Sequence, residues 1–207
     1  MEAMFRSIIA VALFILLHAF MLGTVTAQTS QSEQAEPAVS GNTPEHVAAE
    51  VEIKGMIAEL RSLSAAGKTL EAEPLARRTV ARAEELFGPK HGYSGAAAGI
   101  LGRLLRSTNR AGEASPWLFK ALVVASNIFS IGDDRYKNAV GELVETLVAV
   151  KDFDSATSLF KRIIASATTS PGLALVEAYY RSEYGSMLRR LGKFAAAETE
   201  FRSDSYR

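Results

Sequence analysis

From residue 45 onward, apolar side chains recur three and four residues apart, and each such run is cut by a short polar or glycine-bearing turn. That spacing lays the apolar positions along one stripe of an α-helix. Met56, Ile57, Leu60 and Leu63 predict a first helix ending near residue 66. Gly67 turns the chain into a second helix over residues 70–87, with Leu75, Val80 and Leu86 apolar and Pro74 near its start, where a missing N–H costs little. Gly88, Pro89 and Gly92 stop that helix. The plan repeats in helices over residues 94–107 (Ile100, Leu101, Leu104, Leu105) and 112–131 (Trp117, Leu118, Leu122, Val123, Ile128). It repeats again over 136–150 (Val140, Leu143, Val144, Leu147) and 153–167 (Ala156, Leu159, Phe160, Ile163, Ile164). A last pair follows Pro171 and Gly172, with Leu175, Tyr180, Tyr184, Met187 and Leu188 before a turn at Gly192 and a helix over 194–207. No sustained period-two alternation rich in β-branched residues occurs, so the expected fold class is all-α.

The pairs share more than a period. Residues 67–78 have diverged copies at 109–120, 151–162 and 192–202, spaced 42, 42 and 41 residues apart. Leu63, Leu105, Leu147 and Leu188 lie four residues before each turn, where a first helix packs on its partner. Ala72, Ala114, Ala156 and Ala197 lie five residues after each turn begins, where a small side chain lets two helices approach. Self-similarity at such a period is the mark of a stacked repeat array.

The copies, led by Glu71-Ala72-Glu73-Pro74-Leu75-Ala76-Arg77-Arg78 and closed by Leu86-Phe87-Gly88-Pro89-Lys90-His91, resemble tetratricopeptide repeats in the longer form found in kinesin light chains. The resemblance runs over roughly residues 45–202 and weakens toward the last copy. It implies a superhelical solenoid of about four antiparallel helix pairs, each touching only its neighbours, with a groove that binds a peptide or protein partner. In that family the groove helices often carry two asparagines, nine and ten residues before the turn glycine. Here those places hold Ala58 and Ile57, Ile100 and Gly99, Glu142 and Gly141, and Glu183 and Ser182, so the usual amide grip on an extended peptide is missing.

The N-terminal part reads differently. One Arg6 precedes a run of about fifteen mostly apolar residues, 8–22, the size of a signal-peptide core and short of a bilayer span. Small residues lead to Ala27, so cleavage after Ala27 is expected, giving an exported product, periplasmic or secreted; the alternative is an uncleaved anchor over 8–27 that makes the chain a membrane-anchored assembly subunit. Residues 28–44 hold too little apolar surface to offset ordering entropy and read as a polar spacer. Thr43 is placed to cap the first helix with Pro44 at its first position. The domain plan is therefore a signal peptide (1–27), a linker (28–44) and a repeat domain (45–207).

Composition narrows the function. The chain has 207 residues, 23 basic and 23 acidic, giving a formal net charge of zero and no electrostatic footprint for nucleic acid. It has no cysteine, which removes disulfide and thiolate chemistry, and only three histidines. His46 and His91 lack a carboxylate set at ligand spacing. Glu84-Glu85 diverge by about 100° on a helix, and Asp133-Asp134 suit a cap. No phosphate loop, nucleophile elbow or zinc signature appears. No catalytic residue, cofactor or metal is therefore expected, and the chain reads as a protein-interaction scaffold rather than an enzyme.

Two surfaces are candidates for that interaction. Arg103, Arg106, Arg181 and Arg189, with Glu142 and Glu145 between them, would give a groove with basic ends and an acidic middle that recognises a complementary peptide. Tyr180, Tyr184, Phe194 and Phe201 concentrate aromatic residues in the last pair, which has no capping helix after it; this predicts an exposed apolar end that binds a partner or self-associates.

Overall fold

A computed structural model describes residues 43–204. The expected signal peptide and most of the spacer lie outside the described residues, as do the last three positions. Within them the chain forms eight helices: α1 (Pro44–Ala65), α2 (Thr69–Phe87), α3 (Gly92–Ser107), α4 (Ala111–Ile128), α5 (Asp134–Ala149), α6 (Phe153–Thr168), α7 (Ala174–Arg190) and α8 (Phe194–Asp204). No described helix is long and apolar enough to cross a membrane. Among the described residues there is no strand. Each helix packs on the next in the chain, and α3 also packs on α1 and α5, the first helices of the flanking pairs. One continuous apolar core runs through all four pairs.

The four turns inside the pairs are built alike, and this explains the recurring leucine. The N–H groups of Lys68, Arg110, Asp152 and Lys193 donate to the carbonyls of Leu63, Leu105, Leu147 and Leu188 at 2.8–2.9 Å. The N–H groups of Gly67, Asn109, Lys151 and Gly192 donate three residues back, to Ser64, Arg106, Val148 and Arg189, at 3.0–3.1 Å. Together these two bonds are the Schellman closure, which satisfies carbonyls that a helix end leaves open. It requires a left-handed residue, and Gly67, Asn109, Lys151 and Gly192 have φ of 69°, 60°, 62° and 74°. Two turns thus keep the conformation without glycine. The leucine side chains seal the pairs from the core side, Leu63 less completely than the other three.

Packing between partner helices follows one register. Gly102 and Leu118 face each other in the second pair, and Gly185 and Phe201 in the fourth; a Cβ on either glycine would meet its partner at 2.6 or 2.7 Å. The equivalent positions are Leu60 and Ala76 in the first pair and Val144 and Phe160 in the third, all buried. Where one of the two residues is small, the backbones can close. Where both are large, as in α5 and α6, the helices approach less closely than in any other pair. The recurring Ala72, Ala114, Ala156 and Ala197 are buried, as their spacing predicts.

The free side of α1 differs from the same side of α3. Ala97 and Leu101 of α3 are fully buried, whereas Gly55 and Glu59 at the same register of α1 are exposed. A polar outer face of this kind closes a stack.

Caps fix the remaining boundaries. Thr43 Oγ1 accepts from the His46 N–H at 3.2 Å, with Pro44 in the first turn as expected. Asp133 Oδ1 accepts from the Arg135 N–H at 2.8 Å, starting α5 two residues before the periodicity suggested. α4 stops at Ile128 rather than reaching residue 131, because Phe129 is extended and the Arg135 guanidinium lies 3.8 Å over its ring.

Candidate functional site

The charged residues picked out along the first helices do come together, but chiefly with one another. Arg103 Nη1 on α3 donates to both carboxylate oxygens of Glu142 on α5 at 3.1 Å. One turn on, Arg106 Nη1 donates to Glu145 at 3.2 Å. These bonds tie the second pair to the third across the face shared by α1, α3 and α5. Arg181 does not reach that face. It donates to Glu177 and to Glu200 at 2.9 Å each and so fastens α7 to α8. Arg189 stands apart at the end of α7, exposed. The expected alternation of basic ends and an acidic middle is therefore largely neutralised within the molecule.

A second charged network joins α2 to α4. Arg110 Nη1 donates to Glu73 at 2.7 Å while its other nitrogens grip Glu113. Arg77 closes on the same Glu73 at 2.9 Å, and Lys120 pairs with Glu84. Hydrogen bonds from Arg110 and then Arg77 hold the Glu73 carboxyl below the usual carboxylate range. The local spacings Glu73–Arg77 and Arg110–Glu113 were visible in the sequence. Their meeting across 37 residues was not, since it needs the repeat superposed on itself.

The histidines are structural. His91 caps α3, its Nδ1 accepting from the Tyr93 N–H at 3.2 Å, and its ring stacks on Phe87 with centroids 4.8 Å apart. Burial is the main influence on the imidazole and pushes its pKa down. His46 meets the other side of this cluster, edge-on to Phe87 at 5.4 Å. Among the described residues no group of His, Cys, Asp and Glu is arranged to hold a metal.

The aromatic end needs a correction. Tyr180 and Tyr184 are only 1% and 5% exposed, so they form core rather than interface. The Tyr180 hydroxyl donates to the Ile131 carbonyl at 3.0 Å, and burial raises its pKa. Tyr184 packs beside Phe160, with centroids 5.4 Å apart. Phe201 is half-buried over Gly185. Phe194 alone of the four is open, at 68%. It borders a cavity of about 380 Å³ lined by Arg189, Phe194, Ala197, Glu198, Phe201 and Arg202. Trp117, expected in the core, packs against its margin.

With this geometry in view, the relationships of the chain are clear. Residues 61–93, from the end of α1 through α2, match the tetratricopeptide repeat family. The fold is a tetratricopeptide-like helical solenoid. Among solved structures, the fold is similar to that of the nearly identical TPR-like repeats of a putative kinesin light chain from Podosopora anserina. The identity is 17% and the TM-score 0.63, over 79% of this chain and 76% of that one. A substituted form of the same protein gives 15% identity and a TM-score of 0.63, over 81% and 77%. At such identity the likeness is one of fold. No curated protein matches the chain. In this tetratricopeptide-like solenoid, the places where groove asparagines are expected are put to other uses: Glu142 receives Arg103, and Gly99 is buried against Ala121.

Proposed function

We propose that this chain is a non-enzymatic protein-interaction scaffold that acts after export. The observation that carries the binding role is the architecture itself. Stacked helix pairs with a tetratricopeptide repeat spend their apolar residues on a one-dimensional core and present an extended surface to partners. The carboxylates best placed for chemistry on the α3–α5 face are hydrogen-bonded to arginines, which suits recognition better than proton transfer. Export rests on the apolar run and small residues that end at Ala27.

Crosslinking of the full chain in its native host, followed by affinity purification, tests the binding role. Specific protein partners, reduced by substitutions on the exposed faces but not by core-neutral controls, are expected; recovery of none would overturn it. N-terminal sequencing of the purified product addresses export, with a start at Gln28 expected; an intact Met1 would favour the anchored alternative. Self-association through the last helix pair is a competing arrangement, and sedimentation velocity separates it from a monomer that binds other proteins.

A further inference from the structure

Two histidines meet across one phenylalanine where three helices converge. His46, the third residue of α1, approaches Phe87, the last residue of α2, edge-on with centroids 5.4 Å apart. His91, the N-cap of α3, stacks on the same ring at 4.8 Å, and Tyr93 closes on it at 5.2 Å. Little else holds the start of α1. None of residues 44–52 is buried, and the apolar anchors of the helix begin at Ile53. Just before that anchor, the Glu52 carboxylate accepts from two nitrogens of Arg82 at 2.7 and 2.9 Å. The first two turns of α1 are therefore fastened chiefly by the aromatic cluster.

Both histidines sit where a positive charge is disfavoured. Each lies at the N-terminus of a helix, and the macrodipole opposes a cation there. Protonation of His91 also removes the acceptor that caps α3. Burial weighs most against a charge on His91; Glu50 opposes this and His46 reinforces it, with the pKa below the ordinary value. The other groups around the pair offer little relief. Glu50 lies 3.7 Å from His46 but is held by Lys54 at 2.5 Å, and both contacts stay within α1, so neither ties it to a neighbour. On α2, Glu84 is taken by Lys120 and Glu85 by Arg82. Lys54 stands 5.9 Å over the Tyr93 ring of α3, Lys90 precedes His91 in the turn, and α4 presents the uncharged Ile128 to Gly92. Acid thus brings two more cations to a place that already holds two.

We propose that His46, Phe87 and His91 form an acid-operated latch, in which protonation of both imidazoles frees residues 43–51 from the α2–α3 junction while the rest of the solenoid stays folded. Imidazoles change charge in the mildly acidic range, where few other side chains do. The latch lies where the repeat domain meets the N-terminal part of the chain. Opening it lengthens the polar spacer that the sequence predicts and bares the Phe87 ring.

The chain has no cysteine, so a single introduced one can carry a nitroxide label. The full chain is labelled at Val47→Cys, an exposed site in the latch, and separately at Ser158→Cys, an exposed site on α6. Electron paramagnetic resonance is recorded between about pH 7.5 and about pH 5, which brackets imidazole titration. At the upper end both labels should tumble slowly. Acid should give the label at 47 a fast component that becomes the larger part of its signal, and leave the label at 158 unchanged. His46→Phe with His91→Asn keeps a ring on one side and a cap acceptor on the other without titrating, and should hold the label at 47 slow throughout. Phe87→Ala should free that label already at the upper end. A label at 47 that stays slow in acid, or that is fast from the start, would overturn the latch. So would equal loosening at 158, which is general unfolding, a double variant that still responds, or a Phe87→Ala label as slow as the parent's.

Discussion

A Cβ on Gly102 would lie 2.6 Å from Cγ of Leu118, so α3 and α4 are in contact through the absence of a side chain. The nearest atoms belong to a branched carbon held in the core, not to a flexible tip, and the helices must part to admit a methyl group. Gly102→Ala is expected to lower unfolding free energy by about 1–3 kcal/mol despite the better helix propensity of alanine. Leu118→Ala alone should cost about 2–5 kcal/mol by leaving a cavity. The double variant should cost less than the sum, because the alanine at 118 makes room for the one at 102. Urea unfolding of all three gives the coupling term directly, and strict additivity would show that the two residues do not compete for the same space.

Lys151 holds a left-handed conformation, with φ of 62°, to let Asp152 reach the Leu147 carbonyl. A side chain with a Cβ gives up roughly 1–2 kcal/mol there, and glycine returns about half of that gain through the freer unfolded chain. Lys151→Gly should therefore raise stability by about 0.5–1 kcal/mol. Asn109→Gly, at the equivalent turn, should gain less, since asparagine tolerates this region better. The reverse change, Gly67→Ala, should destabilise. Thermal melts that rank the three in another order would contradict the shared-turn account.

His91 makes part of the stability depend on pH. Burial disfavours its charged form, the nearby His46 adds to this, and Glu50 opposes both, with the net pKa below the ordinary 6.5. The unfolded chain therefore binds a proton more readily than the folded one. The contribution is fully present above the unfolded pKa of 6.5 and is lost as pH falls through that value toward the lower folded one. Protonation also turns Nδ1 from an acceptor for the Tyr93 N–H into a donor, so the cap of α3 is lost with it. Between pH 7.5 and 5.5 the melting temperature should fall. His91→Asp, which keeps an acceptor at the cap without titrating in this range, should flatten that slope. An unchanged slope would place the titration elsewhere.

The helices and their pairing were legible in the sequence because they depend on spacing within a helix or across one turn, and the repeat because like residues recur 41–42 positions apart. So was the position of the buried alanines. The use of surface charge was not. Arg103 and Glu142 are 39 residues apart, and only the stacking of α3 against α5 decides that they meet rather than face a ligand. The tyrosines misled for a related reason. Tyr180 and Tyr184 lie in the last described pair, yet α7 turns them inward against Ile131 and Phe160. Phe194, at the first position of α8, is left exposed by the described helices. Spacing gives a residue its face on a helix, and the neighbouring helices decide whether that face is covered.

The Arg103–Glu142 pair gives a test of that last point. Both side chains remain partly open to solvent, at 47% and 26%, so the pair is worth no more than about 1 kcal/mol. Arg103→Glu sets two carboxylates together and should cost about that much at low salt, with the loss shrinking as ionic strength rises. Arg103→Glu combined with Glu142→Arg restores opposite charges in the same place and should recover most of it. If the charge-swapped double variant is as stable as the original and still binds its partner, the pair serves only to join the second and third helix pairs. A partner lost in the swap but kept in Arg103→Ala would instead mean that the orientation of charge on the α3–α5 face is read directly. Binding measured beside unfolding therefore separates a structural ion pair from a recognition element.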